Sequence, residues 1–400
     1  MTLIKRALVL GVSLGLWIAA AGTASSLQQP SHSIVSDIEV STDAGLGRIE
    51  LHGQLAAVLQ RDEGIVAFVD VTQPASPKVL GRYDDGASQS LDGDLAFSTD
   101  GKWLFYARQT VQFSKDGIHV LNVSDPKNPS LASYQPGGGA LRIAYYDDGD
   151  AEWVVVMDAI SGMVVYRFEP TTGVLAPVHV NALPALKVGG PASAGLVIAD
   201  DPILGHPLLY ASTGQTGLEV FDFSDPTDPR LLGSWPKMGL AEIEVSVSGT
   251  KRYVYGASEY WFEKTNPPVV VELDASKLGA IKRVRLLSVG CKTDDSQRVQ
   301  GMALAGDVLY VANSTVGLPV FFGDNLFRFT PVGERPQNPK AGYLGVPYVF
   351  DVETKGGYVY ATDAATGYLT VIRRKPVTGW DYNRDERPWH TQERWASLGC

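Results

Sequence analysis

Charged or polar side chains recur in several short apolar segments, mostly at alternate positions, and these residues are the ones whose types and spacing could do chemistry. They are Arg48, Glu50 and His52, then Arg142, Glu242, Glu244, Arg298 and Gln300, and finally Asp351 and Glu353. Guanidinium and carboxylate groups that converge on one cavity could bind a small polar ligand or act in general acid–base chemistry. The same groups could instead pair with one another around ordered water, and this second interpretation is favoured.

Aromatic residues point to a second kind of site. Tyr260, Trp261 and Phe262 are consecutive within a segment rich in polar residues and proline, and Phe113 lies in a shorter polar segment upstream. Exposed aromatic side chains are typical of protein- or ligand-binding surfaces. The alternative is that they pack locally over a neighbouring element, and the sequence leaves both interpretations open.

Linear signatures of catalysis are missing. Beyond residue 24 the sequence contains no Gly-x-Ser-x-Gly elbow, no His-Glu-x-x-His pair and no phosphate-binding glycine loop. Its six histidines are scattered along the chain. We therefore predict no cofactor and no metal site, and a non-enzymatic role is favoured over an enzymatic one.

The elements that must position these residues form a repeat. Related segments begin at Gly64, Gly117, Gly162, Gly217, Pro268, Gly317 and Gly367, at intervals of roughly fifty residues. Each follows a second short run rich in Val, Tyr and Leu that is bounded by Gly, Asp or Ser, a pattern typical of β-strands. In the best copies an Asp-Pro turn follows, and we interpret its aspartate as a turn cap rather than as a ligand.

The repeat predicts an all-β, seven-bladed β-propeller with four-stranded antiparallel blades, because one such unit cannot bury both of its faces alone. The last unit lacks an obvious fourth strand. We predict that the N-terminal segment His32–Val40 supplies it and closes the ring, with Lys375–Trp380 as the competing segment. The predicted domains are a signal peptide over 1–24, the propeller over 25–379, and a C-terminal tail over 380–400 packed on the propeller.

Export is predicted from the first 24 residues, in which Lys5 and Arg6 precede an apolar stretch and Gly22-Thr23-Ala24 resembles a cleavage site. We expect a bacterial periplasmic or secreted protein with no membrane span after cleavage. A net charge of −10 without a basic stripe argues against nucleic acid as a partner. Cys291 and Cys400, the only two cysteines, either form an intramolecular disulfide or are free or intermolecularly bonded thiols.

The segment GLEVFDFSDPTDPRLLGSW (217–235) resembles the unit of the LVIVD repeat family, and the copies at Gly64 and Gly117 resemble it well. The resemblance implies a β-propeller at or outside the bacterial cell surface, and it carries no catalytic motif. We therefore expect a binding module for an envelope protein or a small polar ligand. The alternative is a propeller enzyme, a lactonase-like hydrolase or a lyase acting at the channel mouth, with or without a metal.

Overall fold

A computed structural model describes residues 33–61, 63–86, 90–110, 116–181, 194–213, 217–258, 269–288, 299–306, 308–313, 318–322, 325–329 and 349–374. These residues form 28 strands and one 3₁₀ turn, Leu278–Ala280. The first strand, β1, is Ser33–Glu39. Blade 1 comprises β2 (Leu46–His52), β3 (Leu55–Gln60), β4 (Ile65–Asp70) and β5 (Lys78–Asp84). Blade 2 comprises β6 (Ser90–Phe97), β7 (Trp103–Thr110), β8 (Gly117–Asn122) and β9 (Ser130–Pro136).

Five further blades follow along the chain. Blade 3 comprises β10 (Ala140–Asp147), β11 (Glu152–Asp158), β12 (Gly162–Glu169) and β13 (Val174–Asn181). Blade 4 comprises β14 (Ala194–Asp201), β15 (His206–Thr213), β16 (Gly217–Asp222) and β17 (Arg230–Trp235). Blade 5 comprises β18 (Leu240–Ser248), β19 (Lys251–Ser258), β20 (Val269–Asp274) and β21 (Lys282–Ser288). Blade 6 comprises β22 (Val299–Ala305), β23 (Val308–Asn313), β24 (Leu318–Phe322) and β25 (Asn325–Phe329). Blade 7 contains β26 (Val349–Lys355), β27 (Tyr358–Asp363) and β28 (Tyr368–Arg373).

The predicted all-β propeller with four-stranded antiparallel blades is confirmed. The described strands form seven four-stranded sheets, and β1 is the outer strand of the sheet that contains β26, β27 and β28. It pairs antiparallel with β28, from Ser33 opposite Arg373 to Glu39 opposite Tyr368. The competing segment Lys375–Trp380 lies outside the described residues.

The blades surround a central channel. The first strand of every blade contacts the first strand of the next, and β2 contacts β26, so that the ring is complete. The channel is therefore lined by β2, β6, β10, β14, β18, β22 and β26. We call the end of the ring at which these seven strands begin the loop face, because described connections between blades (137–139 and 236–239) and between the second and third strands of a blade (159–161 and 364–367) lie there.

An apolar core lies between each pair of neighbouring blades. In β4, Val66 and Phe68 pack toward blade 2, whereas Ala67 and Val69 pack toward blade 7. Because side chains alternate across a strand, a strand between two neighbours must be apolar on both faces. This requirement explains the continuous apolar runs that mark each repeat. Burying one such Val or Phe side chain contributes about 1.5–3 kcal/mol.

The Asp-Pro turns lie at the opposite end of the ring from the loop face and have the predicted structural role. The Asp125 carboxylate accepts a hydrogen bond from the Lys127 amide at 3.1 Å, and Asp225 accepts one from the Thr227 amide at 2.9 Å. The acidic turn after β10 is similar, since Asp148 Oδ1 accepts the amides of Asp150 and Ala151 at 2.8 and 2.7 Å. These carboxylates cap turns.

Several predictions concern segments that the structure does not describe. The proposed signal peptide (1–24) and the C-terminal tail (380–400) are among them, and so are Cys291 and Cys400. Within the described ranges, no helix has the length and apolar character needed to span a membrane.

Candidate functional site

Four of the predicted site residues meet inside the channel near the loop face. Arg48 lies on β2, Arg142 on β10, Glu242 on β18 and Asp351 on β26. Each lies at or next to a register irregularity in the first half of its strand. A β-bulge bends the strand and changes the direction of nearby side chains. These irregularities therefore help to turn the charged groups into the channel.

These four side chains form a channel network. Arg48 Nη2 lies 2.7 Å from Glu242 Oε2, and Arg142 Nη2 lies 3.2 Å from the same oxygen. Arg48 Nη1 lies 3.4 Å from Asp351 Oδ1. The network thus connects blades 1, 3, 5 and 7 across the axis of the ring. Since these side chains are largely buried, each charge depends on its partners in place of water.

Two aspartates fasten neighbouring inner strands. Asp351 Oδ2 accepts a hydrogen bond from the Ile49 amide at 3.0 Å, and Asp94 Oδ2 accepts one from the Ile143 amide at 3.0 Å. The first bond joins β26 to β2 and the second joins β6 to β10. Asp351 therefore has two roles, as a member of the channel network and as an acceptor at the interface between blades.

Three further carboxyl groups, which we call the inner acids, project from the same strands two residues after network positions. Glu50 follows Arg48, Glu244 follows Glu242 and Glu353 follows Asp351. Residues two apart on a strand share a face, so the inner acids also face the channel. Their side chains are half-buried: the ring encloses them, but the channel still reaches them.

Enclosure changes the acidity of these groups. Burial, and then the charge of Asp351, raises the pKa of Glu353 to about 8. Burial raises the pKa of Asp351 to about 7, although Arg48 acts in the opposite direction. Burial followed by the Glu353 carboxylate raises the pKa values of Glu50 and Glu244 well above the usual range. At neutral pH Glu353 is consequently protonated more often than it is charged.

Asp94 is a channel residue that the sequence prediction missed. Burial raises its pKa, while Arg142 and then Arg48 lower it. The signal that could have found it is the alternation Asp92-Gly93-Asp94, which has the same spacing as Glu242 and Glu244. Two acids around a glycine read equally well as a turn, and the alternation was overlooked.

Gln300 and its neighbour show how closely the inner strands approach. Gln300 lies on β22 at the irregularity between Val299 and Gly301. A Cβ atom at Gly301 would lie 1.8 Å from Asp351 Oδ1, so only glycine fits beside that carboxylate. The channel network and the packing of blade 6 on blade 7 are therefore coupled at this position.

The remaining predicted site residues lie outside the described residues. They are Phe113, Tyr260, Trp261, Phe262 and Arg298. Among the residues that are described, no group of three or more His, Cys, Asp or Glu side chains is arranged to hold a metal ion.

Comparison with known proteins adds information on the fold. No protein-family model and no curated protein sequence matches the chain. Among solved structures, the β-propeller domain of Cps50 (Swd1) from Myceliophteria thermophila is similar, with a TM-score of 0.58 and 11% identity over 86% of this chain and 100% of that one. Sqt1 from Saccharomyces cerevisiae has a TM-score of 0.55 and 9% identity over 86% of this chain and 99% of that one.

Raptor from Chaetomium thermophilum is similar over 86% of this chain and 29% of that chain, with a TM-score of 0.57 and 14% identity. At such low identities the likeness establishes the propeller fold alone. The function has to be argued from the residues of this chain.

Proposed function

We propose that this chain is an exported β-propeller of the LVIVD type that acts as a non-enzymatic binding module at the bacterial cell envelope. Its partner is an envelope protein that binds the loop face. The repeat at Gly64, Gly117 and Gly217 supports the family, and the charged and apolar pattern of residues 1–24 supports export. The propeller fold itself is typical of interaction modules.

The observation that carries the proposal is the channel network. Its two guanidinium groups are already engaged by Glu242 and Asp351, and Asp351 also accepts the Ile49 amide. Charged groups that are paired with one another in this way stabilise a rigid ring, and the two guanidinium groups are then occupied by carboxylates of the protein itself. A rigid ring is a suitable platform for variable connections, which is where binding residues concentrate.

The predicted binding residues on those connections can be tested directly. We expect a mature-chain variant with Tyr260→Ala, Trp261→Ala and Phe262→Ala to retain at least tenfold less of its partner in a cross-linking pull-down from periplasm. A matched control removes exposed apolar side chains from outer strands instead, by Leu131→Ala, Leu231→Ala and Val284→Ala. Equal retention by the two triple variants would show that the aromatic residues do not form the binding site.

A second candidate function is supported by the acidity of the channel. Glu353 and Asp351 have pKa values raised to about 8 and about 7, whereas Glu242 lies between two arginines. Carboxyl groups that titrate near neutrality can act as general acids. If no stoichiometric partner is found, the purified chain should be screened against small lactones and esters. Hydrolysis that Glu353→Gln reduces more than a hundredfold would establish the enzymatic alternative.

A further inference from the structure

The described part of the channel contains more acidic groups than it can neutralise. Six carboxyl groups face it, and only two guanidinium groups lie among them. The acids are Glu50, Asp94, Glu242, Glu244, Asp351 and Glu353, and the bases are Arg48 and Arg142. Full ionisation would leave four negative charges in excess.

The other described inner-strand positions do not correct this excess. His52 and Lys355 are the last residues of β2 and β26, at the end of the ring opposite the loop face. On β14, Asp200 and Asp201 are also at that end, and Asp201 is paired with Arg252 on blade 5. The described strand β22 carries no charged residue.

Geometry prevents the acidic groups from separating. The inner acids project from β2, β18 and β26, and those strands are fixed by a ring of neighbouring strands and by the channel network. Like charges held close together repel one another strongly at the effective dielectric of a partly buried site. Protonation of the inner acids removes this repulsion and therefore lowers the free energy of the folded ring.

We propose that the channel is a proton-operated latch, in which protonated Glu50, Glu244 and Glu353 hold the inner strands of blades 1, 5 and 7 together and loosen the ring when they ionise. When protonated, each carboxyl group is a hydrogen-bond donor as well as an acceptor. When ionised, each one adds to the excess charge beside Asp351, whose bonds to Arg48 and to the Ile49 amide join blades 7 and 1.

The direction of the pH dependence follows from proton linkage. An unfolded glutamate has a pKa of about 4.3, and the inner acids have higher values in the folded ring. Between these values the folded state binds more protons than the unfolded state. The stability that these groups contribute is therefore complete below about pH 4 and is lost as the pH rises, and for Glu353 this loss extends to about pH 8.

The test is urea unfolding of the mature protein between pH 5 and pH 9. It is followed by the fluorescence of the buried Trp103, Trp153 and Trp235. We expect the unfolding equilibrium constant to rise by at least about tenfold per pH unit between pH 5 and pH 7. Glu50→Gln with Glu244→Gln and Glu353→Gln should make this dependence shallower, although Asp351 and Asp94 still contribute to it, and should make the protein more stable than the wild type at pH 8. Glu39→Gln, an exposed position on β1, should leave the dependence unchanged.

Two outcomes would overturn the latch. The first is a wild-type unfolding equilibrium constant that changes by less than threefold between pH 5 and pH 8. The second is a triple Glu→Gln variant whose unfolding equilibrium constant depends on pH as steeply as that of the wild type. If the triple variant does not fold, two other measurements test the latch. One is the pH dependence of unfolding of the single variant Glu353→Gln, and the other is the number of protons released when the wild type unfolds. That number is measured by calorimetry at pH 7 in buffers of different ionisation enthalpy, and release of less than half a proton would reject the proposal.

Discussion

Replacing Arg48 by Met is expected to lower the free energy of unfolding by about 3–5 kcal/mol, because removing one member of a buried ion pair leaves its partners charged and desolvated. Arg48 is only 5% exposed and contacts both Glu242 and Asp351. Met keeps most of the apolar length of the side chain, so the change measures the loss of the guanidinium group. Urea unfolding at pH 7 gives the value.

An exposed ion pair supplies the control for this substitution. Lys102 Nζ lies 2.8 Å from Asp100 Oδ2, a contact of about the same length as that between Arg48 and Glu242, but the Lys102 side chain is 63% exposed. The urea midpoint of Lys102→Met should equal that of the wild type within experimental error, since water solvates both charged groups. Equal effects of Arg48→Met and Lys102→Met would mean that burial of the channel network is unimportant.

The unfolding free energy lost on Arg48→Met should also depend on Glu242, which pairs with Arg48. In a Glu242→Gln background the neutral amide no longer needs a cation, and the cost of Arg48→Met should fall by about 1–2 kcal/mol, within the usual range for residues in contact. Arg142 remains beside position 242 in both backgrounds. Additive effects of the two substitutions would contradict a direct pair between blades 1 and 5.

The sequence predicted the strands of the fold because each blade reads as the same physical unit. Continuous apolar runs such as Ile65–Asp70 face a neighbouring blade on each side, and Asp-Pro turns such as the one at Asp225 use the same side-chain cap. Both signals are local, so they are visible without knowledge of distant contacts. The propeller class followed from them.

The composition of the channel could be predicted in part, and the pairing within it could not. Alternation placed Arg48, Glu242 and Asp351 on inner strands, because strand periodicity fixes which side chains share a face. Which charges meet depends on contacts across the ring: Arg48 and Asp351 are 303 residues apart in sequence. The excess of acids emerged only when the strands were assembled, whereas Asp94 was missed because two acids around a glycine also fit a turn.

Glycine at position 301 illustrates a requirement that no local pattern reveals. Gly301→Ala is expected to lower the free energy of unfolding by about 2–3 kcal/mol, the upper part of the usual range for overpacking a buried site. The added Cβ would lie 1.8 Å from Asp351 Oδ1 and 3.0 Å from the Asp351 Cα atom, so β22 and β26 must separate. Urea unfolding measures the loss, and Gly279→Ala is the control, because no heavy atom lies within 4 Å of a Cβ there.

The cause can be isolated by changing the partner of Gly301. In an Asp351→Ala background the carboxylate group is absent, and the nearest remaining heavy atom to the added methyl group is the backbone Cα atom of residue 351, at 3.0 Å. Gly301→Ala should then cost about 1 kcal/mol or less, since the neighbouring strand needs to shift by only a few tenths of an ångström. An equal cost in both backgrounds would place the clash elsewhere. A reduced cost would show that Asp351, which joins blade 7 to blade 1, is also the reason that position 301 on blade 6 must be glycine.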